Sequence, residues 1–426
     1  MNEDPLAHFL EVAAEHPRCF WLDGGGAREW SGRRSMIGWL ADDDVSLTYD
    51  AVRGEVTRHT GGRADVVGAD PFEVLEAELA AGGPGDQWFG YFGYAARPGL
   101  PASTGGAVPD AVWMRAGHVR MFEHAGEARQ NSRFPDEVSR QKREFHRVPG
   151  ETVPPDYADA FAQVQEALHA GNSYEVNLTY RVETRSDLAP AAAYLRLREL
   201  NPAPYAGFLQ HDLPGARAWL LSSSPERYAL VTADRVIETK PIKGTTPRGA
   251  TDAEDQQNKR NLAHEPKFRA ENLMIVDLLR NDLAMVCEPG TVEVPALMDV
   301  ESYETVHQLV STVRGRLRGE VTTMGALRAL FPAGSMTGAP KLRTMQIIDT
   351  VETTPRGVYA GAFGWVGGNG CADLGVVIRS LITAGDGRYL LGTGGAITVQ
   401  SDIAEEYAES RWKTERLLQA LAADVS

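Results

Sequence analysis

Cysteine is scarce in this sequence and its placement is uninformative for pairing. Only Cys19, Cys287 and Cys371 occur in 426 residues, and no Cys-x-x-Cys spacing is present. An odd number of widely separated cysteines predicts reduced thiols rather than a disulfide framework. We therefore expect a cytoplasmic protein.

Long apolar runs and an excess of positive charge are also missing. No run approaches the roughly 20 apolar residues of a membrane helix, and the first residues, MNEDPLAHFLEV, are not a signal-peptide pattern. The 43 basic residues are outnumbered by 58 acidic ones, giving a net charge of −15, so a basic nucleic-acid footprint is not expected. Neither a membrane nor a nucleic acid is an expected partner, whereas net charge does not exclude an anionic small molecule, because a few cations or a metal can dominate locally.

The chain is long enough for two domains or for one large intertwined unit. We predict a first region over 1–125, a polar linker over 126–155 and a catalytic region over 156–426. In the first region AHFLEVAAEH reads as a helix and FWLDG and SMIGWL as strands. The aromatic and glycine alternation from Trp88 to Ala96 is typical of a buried strand against which another backbone lies closely.

Beyond the linker, hydrophobic periodicity predicts a mixed fold. A helix is expected over Asp156–Ala170 with Gly171 at its end, and a second, long one over Asn261–Asn281. Alternation in AWLLSS, RYALVT and RVIETK favours antiparallel strands, and the segments on either side of AGDG predict a hairpin. A last helix is expected over Ala404–Ala422, so the fold class is α/β in the α+β sense.

Lys243 lies in the segment Pro-Ile-Lys-Gly-Thr, which we interpret as a tight turn after a strand. A lysine pinned and partly desolvated in such a turn has a lowered pKa and a free amine for nucleophilic attack. Most turn lysines are solvated, so this pattern alone favours an ordinary surface role.

Two helices carry carboxylates that fit a hard cation. Glu406, Glu409 and Lys413 have i, i+3 and i+7 spacing and share one face, and Glu271 begins an apolar helix. If the helices meet, Glu271 and Glu409 suit Mg²⁺, which takes one or two carboxylates together with substrate oxygens. By spacing alone, an exposed salt-bridged face is the more common arrangement.

Glycine-rich turns and one arginine are candidate anion-binding groups. FPAGSMTGAPK runs into a helix whose free N–H groups attract carboxylates, and LGTGGAI offers further amides at Gly394, Gly395 and Ala396. Arg379 is predicted to lie inside an otherwise apolar strand. A buried guanidinium needs a carboxylate partner from the protein or from a ligand.

Taken together, these segments resemble the chorismate-utilising enzymes. The motifs are SPER, PIKGTTPRG, ENLMIVDLLRNDL, YETVHQLVSTV, FPAGSMTGAPK, VYAGAFGWV and GGAI…EEYAES…K, in family order from Tyr157 to Lys413. The family includes the large subunits of anthranilate synthase and aminodeoxychorismate synthase and the salicylate and isochorismate synthases. The resemblance implies large antiparallel sheets packed as a sandwich with helices outside, and Mg²⁺-dependent attack on chorismate.

The resemblance also implies roles for individual residues. It implies Glu226 as general acid, Glu271 and Glu409 as metal ligands, and Glu406 as a nearby acid. The groups that it implies around the substrate are Gly244, Thr245, Ser335, Tyr359, Arg379, Gly394, Gly395 and Lys413.

Lys243 favours one subgroup, since anthranilate synthases have alanine in this segment and aminodeoxychorismate synthases have lysine. The implied activity is that of aminodeoxychorismate synthase component I: Lys243 attacks C2 of chorismate as the C4 hydroxyl leaves, and ammonia then displaces it at C4. Ammonia would come from a separate glutamine amidotransferase subunit.

Several points stay open at the level of sequence. Glu175 replaces the lysine base of the water-using synthases, and Gln308 stands where many members have histidine, with His307 one residue earlier. Anthranilate synthase component I and a non-catalytic chorismate-binding or tryptophan-binding subunit are the alternatives. GRRSMIGW resembles the border of the family's tryptophan pocket, and the sequence does not separate folate supply from a specialised pathway.

Overall fold

Two antiparallel β-sheets form the centre of the molecule. A computed structural model describes residues 4–24, 34–124, 152–303 and 306–422. Within these ranges one sheet has nine strands and the other twelve, and the paired strands are antiparallel with no closed barrel. The predicted α+β class with large antiparallel sheets is confirmed.

The strands, in chain order, are β1 (Arg18–Asp23), β2 (Arg34–Trp39), β3 (Ser46–Asp50), β4 (Glu55–Thr60), β5 (Arg63–Gly68), β6 (Gln87–Phe92), β7 (Ala111–Arg115), β8 (His118–Glu123), β9 (Glu175–Arg185), β10 (Tyr205–His211), β11 (Ala218–Ser224), β12 (Arg227–Val231), β13 (Val236–Lys240), β14 (Ile242–Pro247), β15 (Glu293–Ser302), β16 (Val306–Arg316), β17 (Gly338–Ala339), β18 (Ala362–Gly367), β19 (Ala372–Val376), β20 (Ser380–Thr383) and β21 (Arg388–Ile397).

The described helices are α1 (Pro5–Glu15), α2 (Pro71–Ala81), α3 (Pro155–His169), α4 (Pro190–Leu200), α5 (Asp252–His264), α6 (Pro266–Ala284), α7 (Thr323–Leu330), α8 (Lys341–Val351), α9 (Ile403–Trp412) and α10 (Glu415–Leu421). Among the described residues, none of these helices is both long enough and apolar enough to cross a membrane.

Strand order shows how the sheets are assembled. The nine-stranded sheet runs β17-β9-β21-β20-β11-β10-β1-β2-β8, and the twelve-stranded sheet runs β14-β16-β13-β12-β19-β18-β6-β7-β3-β4-β5 with β15 also paired to β16. Strands from 1–125 therefore pair directly with strands from 156–426 in both sheets, through β1 with β10 and β6 with β18. The domain boundaries stay a prediction, and most of the predicted linker, 126–151, lies outside the described residues.

A layer of apolar side chains joins the two sheets. Phe20 of β1 stacks on Phe89 of β6 with ring centroids 3.8 Å apart, and the same cluster contains Leu209, Leu220 and Phe363. Helices cover the outer faces, where α1, α4 and α10 lie against one sheet and α2, α6 and α7 against the other. This arrangement is the expected sandwich with helices outside.

Local patterns were good predictors of several elements. The predicted helix over Asp156–Ala170 is α3, with Tyr157, Phe161, Val164 and Leu168 buried. Gly171 follows it at φ 74°, a conformation that glycine adopts without steric cost. The predicted close approach at Trp88–Ala96 is also confirmed, because a Cβ on Gly90 would lie 2.0 Å from the Val112 carbonyl oxygen.

Two predicted long helices are each divided. The segment Asn261–Asn281 spans the end of α5 and most of α6, because Pro266 lacks the N–H that a continuous helix needs. The final segment Ala404–Ala422 is α9 and α10, separated at Lys413 and Thr414. The Thr414 hydroxyl there donates to the Arg411 carbonyl, which closes the end of α9.

The hairpin around AGDG is present, but its first arm is not one strand. β20 and β21 pair on either side of the turn, whereas β19 belongs to the twelve-stranded sheet. The chain therefore crosses between the sheets over Val377–Arg379. Arg379 lies in this crossing at φ 50° and not inside a strand, which corrects the sequence expectation.

Candidate active site

One pocket of about 150 Å³ brings together almost all the predicted site residues. All of them except Glu406 line it: Glu226, Lys243, Gly244, Thr245, Glu271, Ser335, Tyr359, Arg379, Gly394, Gly395, Glu409 and Lys413. They come from strands β14 and β21, helices α6 and α9, and the connections around Glu226, Ser335, Tyr359 and Arg379. Residues far apart in sequence thus share one cavity.

Lys243 lies in strand β14 and not in a turn, which corrects the sequence expectation. Pairing of β14 with β16 shifts register between Ile242 and Thr245, so Lys243 and Gly244 form a β-bulge. Bulges redirect side chains and are common beside active sites. Gly244 has φ 90°, and a Cβ there would lie 2.7 Å from the Phe268 ring, so the bulge requires glycine.

The Lys243 amine is buried and paired. Its side chain is 9% exposed, and Nζ donates to Oε1 of the fully buried Glu175 at 2.5 Å. Burial alone would lower the pKa of Lys243, but Glu175, Glu271 and Glu226 outweigh it and raise the pKa above its ordinary value. The expected lowering was wrong because the sequence did not reveal these three carboxylates.

Glu226 is a buried carboxyl group with a raised pKa. It lies just before β12 and is 5% exposed. Burial raises its pKa to about 7, against a hydrogen bond from Ser335 and the charge of Lys243. A carboxyl group with this pKa can hold a proton near neutral pH and release it in a reaction.

Glu271 of α6 has one carboxylate oxygen without a hydrogen-bond donor among the described residues. It is 6% exposed, and no described residue donates a hydrogen bond to its Oε1. Burial, partly offset by Lys243, raises its pKa to about 7. A buried oxygen left without a donor is suited to a bound cation or a ligand proton.

The acidic residues of α9 differ from one another. Glu409 forms an ion pair of 2.9 Å with Lys413, which lowers the pKa of Glu409. Glu406 is 2% exposed and accepts from Lys267 at 2.7 Å and Ser401 at 2.8 Å. Glu406 therefore lies behind the pocket, and an exposed salt-bridged face is the wrong description for it.

Mg²⁺ fits the carboxylates of this pocket only when a bound ligand and water supply further oxygen ligands. The described part of the chain contains no cluster of three or more His, Cys, Asp or Glu side chains with metal-binding spacing. Glu271 and Glu409 both line the pocket, and Mg²⁺ characteristically takes one or two carboxylates and completes its octahedron with water and substrate oxygens. The unpartnered Glu271 oxygen is the observation that favours such a site.

Arg379 is a cation without a protein counter-ion. Within the described residues no Asp or Glu lies at ion-pair distance from its guanidinium, which instead lies 5.6 Å from the Trp412 ring. Burial lowers its pKa to about 10, so it stays charged at neutral pH. Its backbone oxygen accepts from Ser223, which holds the strained φ of 50° in place.

Gly392 of β21 lets the Tyr359 ring pack closely against this strand, and part of the edge of β21 has no paired neighbour among the described strands. A Cβ on Gly392 would lie 2.2 Å from the Tyr359 ring. Among the described strands, pairing of β21 with β20 is confined to Leu390, so the edge carrying Gly394 and Gly395 faces the pocket. The Lys413 ammonium donates to the Gly394 carbonyl at 2.8 Å.

A family model for chorismate-binding enzymes matches residues 17–419. The chain belongs to the chorismate-binding enzyme family. The crystal structure of anthranilate synthase component I from Streptococcus pneumoniae is similar, with a TM-score of 0.72 at 25% identity, covering 90% of this chain and 92% of that one.

Relatives named aminodeoxychorismate synthase are similar in sequence. That of Streptomyces pristinaespiralis is 40% identical over 465 aligned residues, which cover 98% of this chain and 64% of the relative. Aminodeoxychorismate synthase component 1 of Klebsiella aerogenes is 43% identical over 266 residues, covering 62% of this chain and 58% of the relative. The chain thus spans less than two thirds of either relative.

Within this chorismate-binding fold, neighbouring residues of β16 face opposite ways. Gln308 lines the pocket, whereas the His307 ring is paired with Ser302 and with Asp255 at 3.0 Å. The expectation that a one-residue shift reverses the face is confirmed, because side chains alternate along a strand. His307 therefore does not replace a pocket histidine.

The start of helix α8 does not take part in the pocket. Ser335 and Met336 line it, but the helix itself begins at Lys341, outside the lining. Lys341 is directed instead to Asp282 at 2.6 Å and to the Leu330 carbonyl at 2.7 Å. The suggested anion site at this helix start is therefore not part of this pocket.

A buried ion network behind the pocket was missed from the sequence. Glu352 accepts from Arg181, Arg356 and both the amide and the hydroxyl of Thr179. Arg356 also donates to the Met336 and Asn177 carbonyls, and Arg181 lies 4.7 Å over the Tyr359 ring. The i, i+4 spacing of Glu352 and Arg356 was the one signal available, and it is common on exposed helices.

Proposed function

We propose that this chain is the chorismate-converting component of an aminodeoxychorismate synthase, which forms 4-amino-4-deoxychorismate from chorismate and ammonia. The observation that carries the proposal is the Lys243 amine, buried in the wall of a pocket that also contains a carboxyl group with a pKa near 7, Glu226. Similarity to proteins named aminodeoxychorismate synthase supports the same assignment.

Binding of a dianionic substrate is proposed to use the cations that line the pocket. Arg379, which lacks a carboxylate partner among the described residues, would take a substrate carboxylate together with Tyr359 and Lys413. The β21 edge at Gly394 and Ala396 would provide amides for the same group. Mg²⁺ held by Glu271 and Glu409 would neutralise charge that develops on the ring carboxylate.

In the first displacement, Lys243 must lose a proton before it can attack. Glu175 is the base in contact with it, since Oε1 lies 2.5 Å from Nζ, and the transfer converts a buried ion pair into a neutral pair. Nζ then forms a bond to C2 while the C4–O bond breaks. Glu226 gives its proton to the departing oxygen, so that water leaves.

In the second displacement, ammonia forms a bond to C4 and the bond from C2 to Nζ breaks. Lys243 leaves as an amine and regains its proton from Glu175. The new ammonium group at C4 gives a proton to Glu226, which restores the starting charges. Chorismate and ammonia are thereby converted to 4-amino-4-deoxychorismate and water.

Ammonia is proposed to come from a separate glutamine amidotransferase subunit, in keeping with the word component in the Klebsiella relative's name. Tryptophan binding in the first region is kept as a further proposal, and part of its candidate border, residues 32–33, lies outside the described residues. A non-catalytic subunit is disfavoured because Glu226, Lys243, Glu271 and Glu409 all line one pocket.

The test is product identity. Purified chain is incubated with chorismate, magnesium chloride and ammonium chloride, and the product is identified by mass and ultraviolet spectrum. We expect 4-amino-4-deoxychorismate, which keeps the enolpyruvyl group. Anthranilate as the product would favour the alternative, anthranilate synthase component I, and retained chorismate binding without turnover would favour a binding subunit.

A further inference from the structure

We propose that Gln308 forms the ammonia-binding position of the pocket, with its side-chain amide oxygen accepting an N–H from the incoming nucleophile. This inference rests on the proposed function, in which ammonia enters the same pocket as chorismate. No role for Gln308 follows from the reaction steps above.

The position of Gln308 is set by strand pairing. It lies on β16 directly across from Thr245 of β14, and both residues line the pocket. Thr245 is two positions along β14 from Lys243. Gln308 therefore belongs to the same wall of the pocket as the proposed nucleophile.

The Gln308 amide oxygen lacks a donor. The residue is 6% exposed, and no described residue donates a hydrogen bond to Oε1. Leaving a buried acceptor unpaired costs roughly 1–3 kcal/mol, so a donor from a ligand would be bound there. The terminal amide turns about a broad, roughly two-fold torsion, which lets the oxygen meet a ligand in the pocket at little cost.

The chemistry of the acceptor favours ammonia over the other donors. Glu226 and Glu271 also line the pocket, but a carboxylate beside ammonia stabilises ammonium, which has no lone pair for attack. A neutral amide oxygen accepts an N–H and leaves the nitrogen lone pair free. No histidine is among the described residues that line the pocket, since His307 faces away, so no imidazolium lies there to protonate the nucleophile.

The experiment measures two substrate dependences separately. Gln308→Leu keeps a similar volume and removes the acceptor. With ammonium chloride as the only nitrogen source and saturating chorismate, we expect kcat/KM for ammonia to fall about tenfold, the effect of one hydrogen bond. The KM for chorismate should stay within about twofold. Gln163→Leu, an exposed change on α3, is the matched control and should leave both constants unchanged.

Other outcomes are equally informative. A raised KM for chorismate with normal use of ammonia would assign Gln308 to the substrate and overturn the proposal, as would no change in either constant. If the circular dichroism spectrum of Gln308→Leu differs from that of the parental chain, the experiment uses Gln308→Met, which also lacks the acceptor. Should the parental chain release anthranilate, the proposed function is wrong, yet the same two constants still decide whether Gln308 binds ammonia.

Discussion

Two groups of buried charge lie on either side of Tyr359, and they differ in how completely their polar atoms are paired. In the network behind the pocket, Glu352 holds Arg181 and Arg356, and the side chains of all three are at most 6% exposed. In the pocket, the oxygens Glu271 Oε1 and Gln308 Oε1 have no donor among the described residues. The Glu352 network supports the wall of the pocket, and the two oxygens without donors are available to a ligand.

The comparison explains why buried charge is tolerated in both places. A buried ion pair is stable when hydrogen bonds satisfy its remaining polar atoms, as they do around Glu352. An incompletely paired set is destabilising unless a ligand completes it. The pocket thus stores unfavourable free energy that binding of chorismate, metal and ammonia would relieve.

The largest expected effect comes from removing the pocket amine. Lys243→Ala should reduce formation of 4-amino-4-deoxychorismate on the order of 1,000-fold or more. The other amine that lines the pocket, Lys413, is held by Glu409 and the Gly394 carbonyl. Quantitative mass spectrometry of the product measures this. Lys240→Ala is the control, since Lys240 is a nearby half-buried lysine that pairs with Glu301 outside the pocket. Unchanged turnover in Lys243→Ala would contradict the covalent role.

The paired network should respond in stability. Glu352→Gln leaves Arg181 and Arg356 without their counter-ion, and breaking a buried pair in this way should lower the free energy of unfolding by about 3 kcal/mol. Urea unfolding measures the loss. Glu183→Gln, an exposed change on β9, should stay within about 0.5 kcal/mol of the parent. Equal stability of the two variants would show that the network is not what supports the pocket wall.

Substitution of Arg379 should lower ligand affinity without lowering stability. Arg379→Asn removes a cation that forms no ion pair with an Asp or Glu of the described residues, so affinity for chorismate should fall roughly tenfold to a hundredfold. Stability should be equal or higher, because asparagine tolerates a φ of 50° better than arginine. Titration calorimetry and urea unfolding of the same preparation separate the two effects, with the exposed Arg388→Asn as control. A loss of stability like that of Glu352→Gln would show that Arg379 supports the fold instead of being available to a ligand.

Motifs in the sequence predicted which residues line the pocket better than they predicted the direction of the pKa shift of Lys243. Glu226, Lys243 and Arg379 were all predicted to contribute to one site, and they do line one cavity. The raised pKa of Lys243 was not predictable, because it depends on Glu175, 68 residues away along the chain. The Glu352 network was missed for a related reason. Arg181 lies on β9, far away along the chain, and the i, i+4 spacing of Glu352 and Arg356 does not distinguish a buried pair from an exposed one.

The dependence of stability on pH distinguishes Glu226 from the paired acids. Burial raises its pKa to about 7 from an ordinary 4.5, so the folded state binds more protons than the unfolded state between these values. Stability from this group is full below pH 4.5 and is lost as the pH rises through 7. Glu226→Gln cannot ionise, so at pH 8 it should be more stable than the parent by about 3 kcal/mol. At pH 4 the two proteins should be nearly equal.

Urea unfolding at both pH values, with a chelator present to keep Glu271 free of metal, measures this difference. The variant should also lose most of its turnover, because the amide has no proton to give to the departing oxygen. Glu238→Gln, which weakens one of the ion pairs of Arg227, is the matched comparison and should destabilise at pH 8. If Glu226→Gln also lost stability at pH 8, as Glu238→Gln is expected to, then Glu226 would be an ordinary paired carboxylate. The contrast between the fully paired Glu352 network and the incompletely paired pocket would then not hold for Glu226.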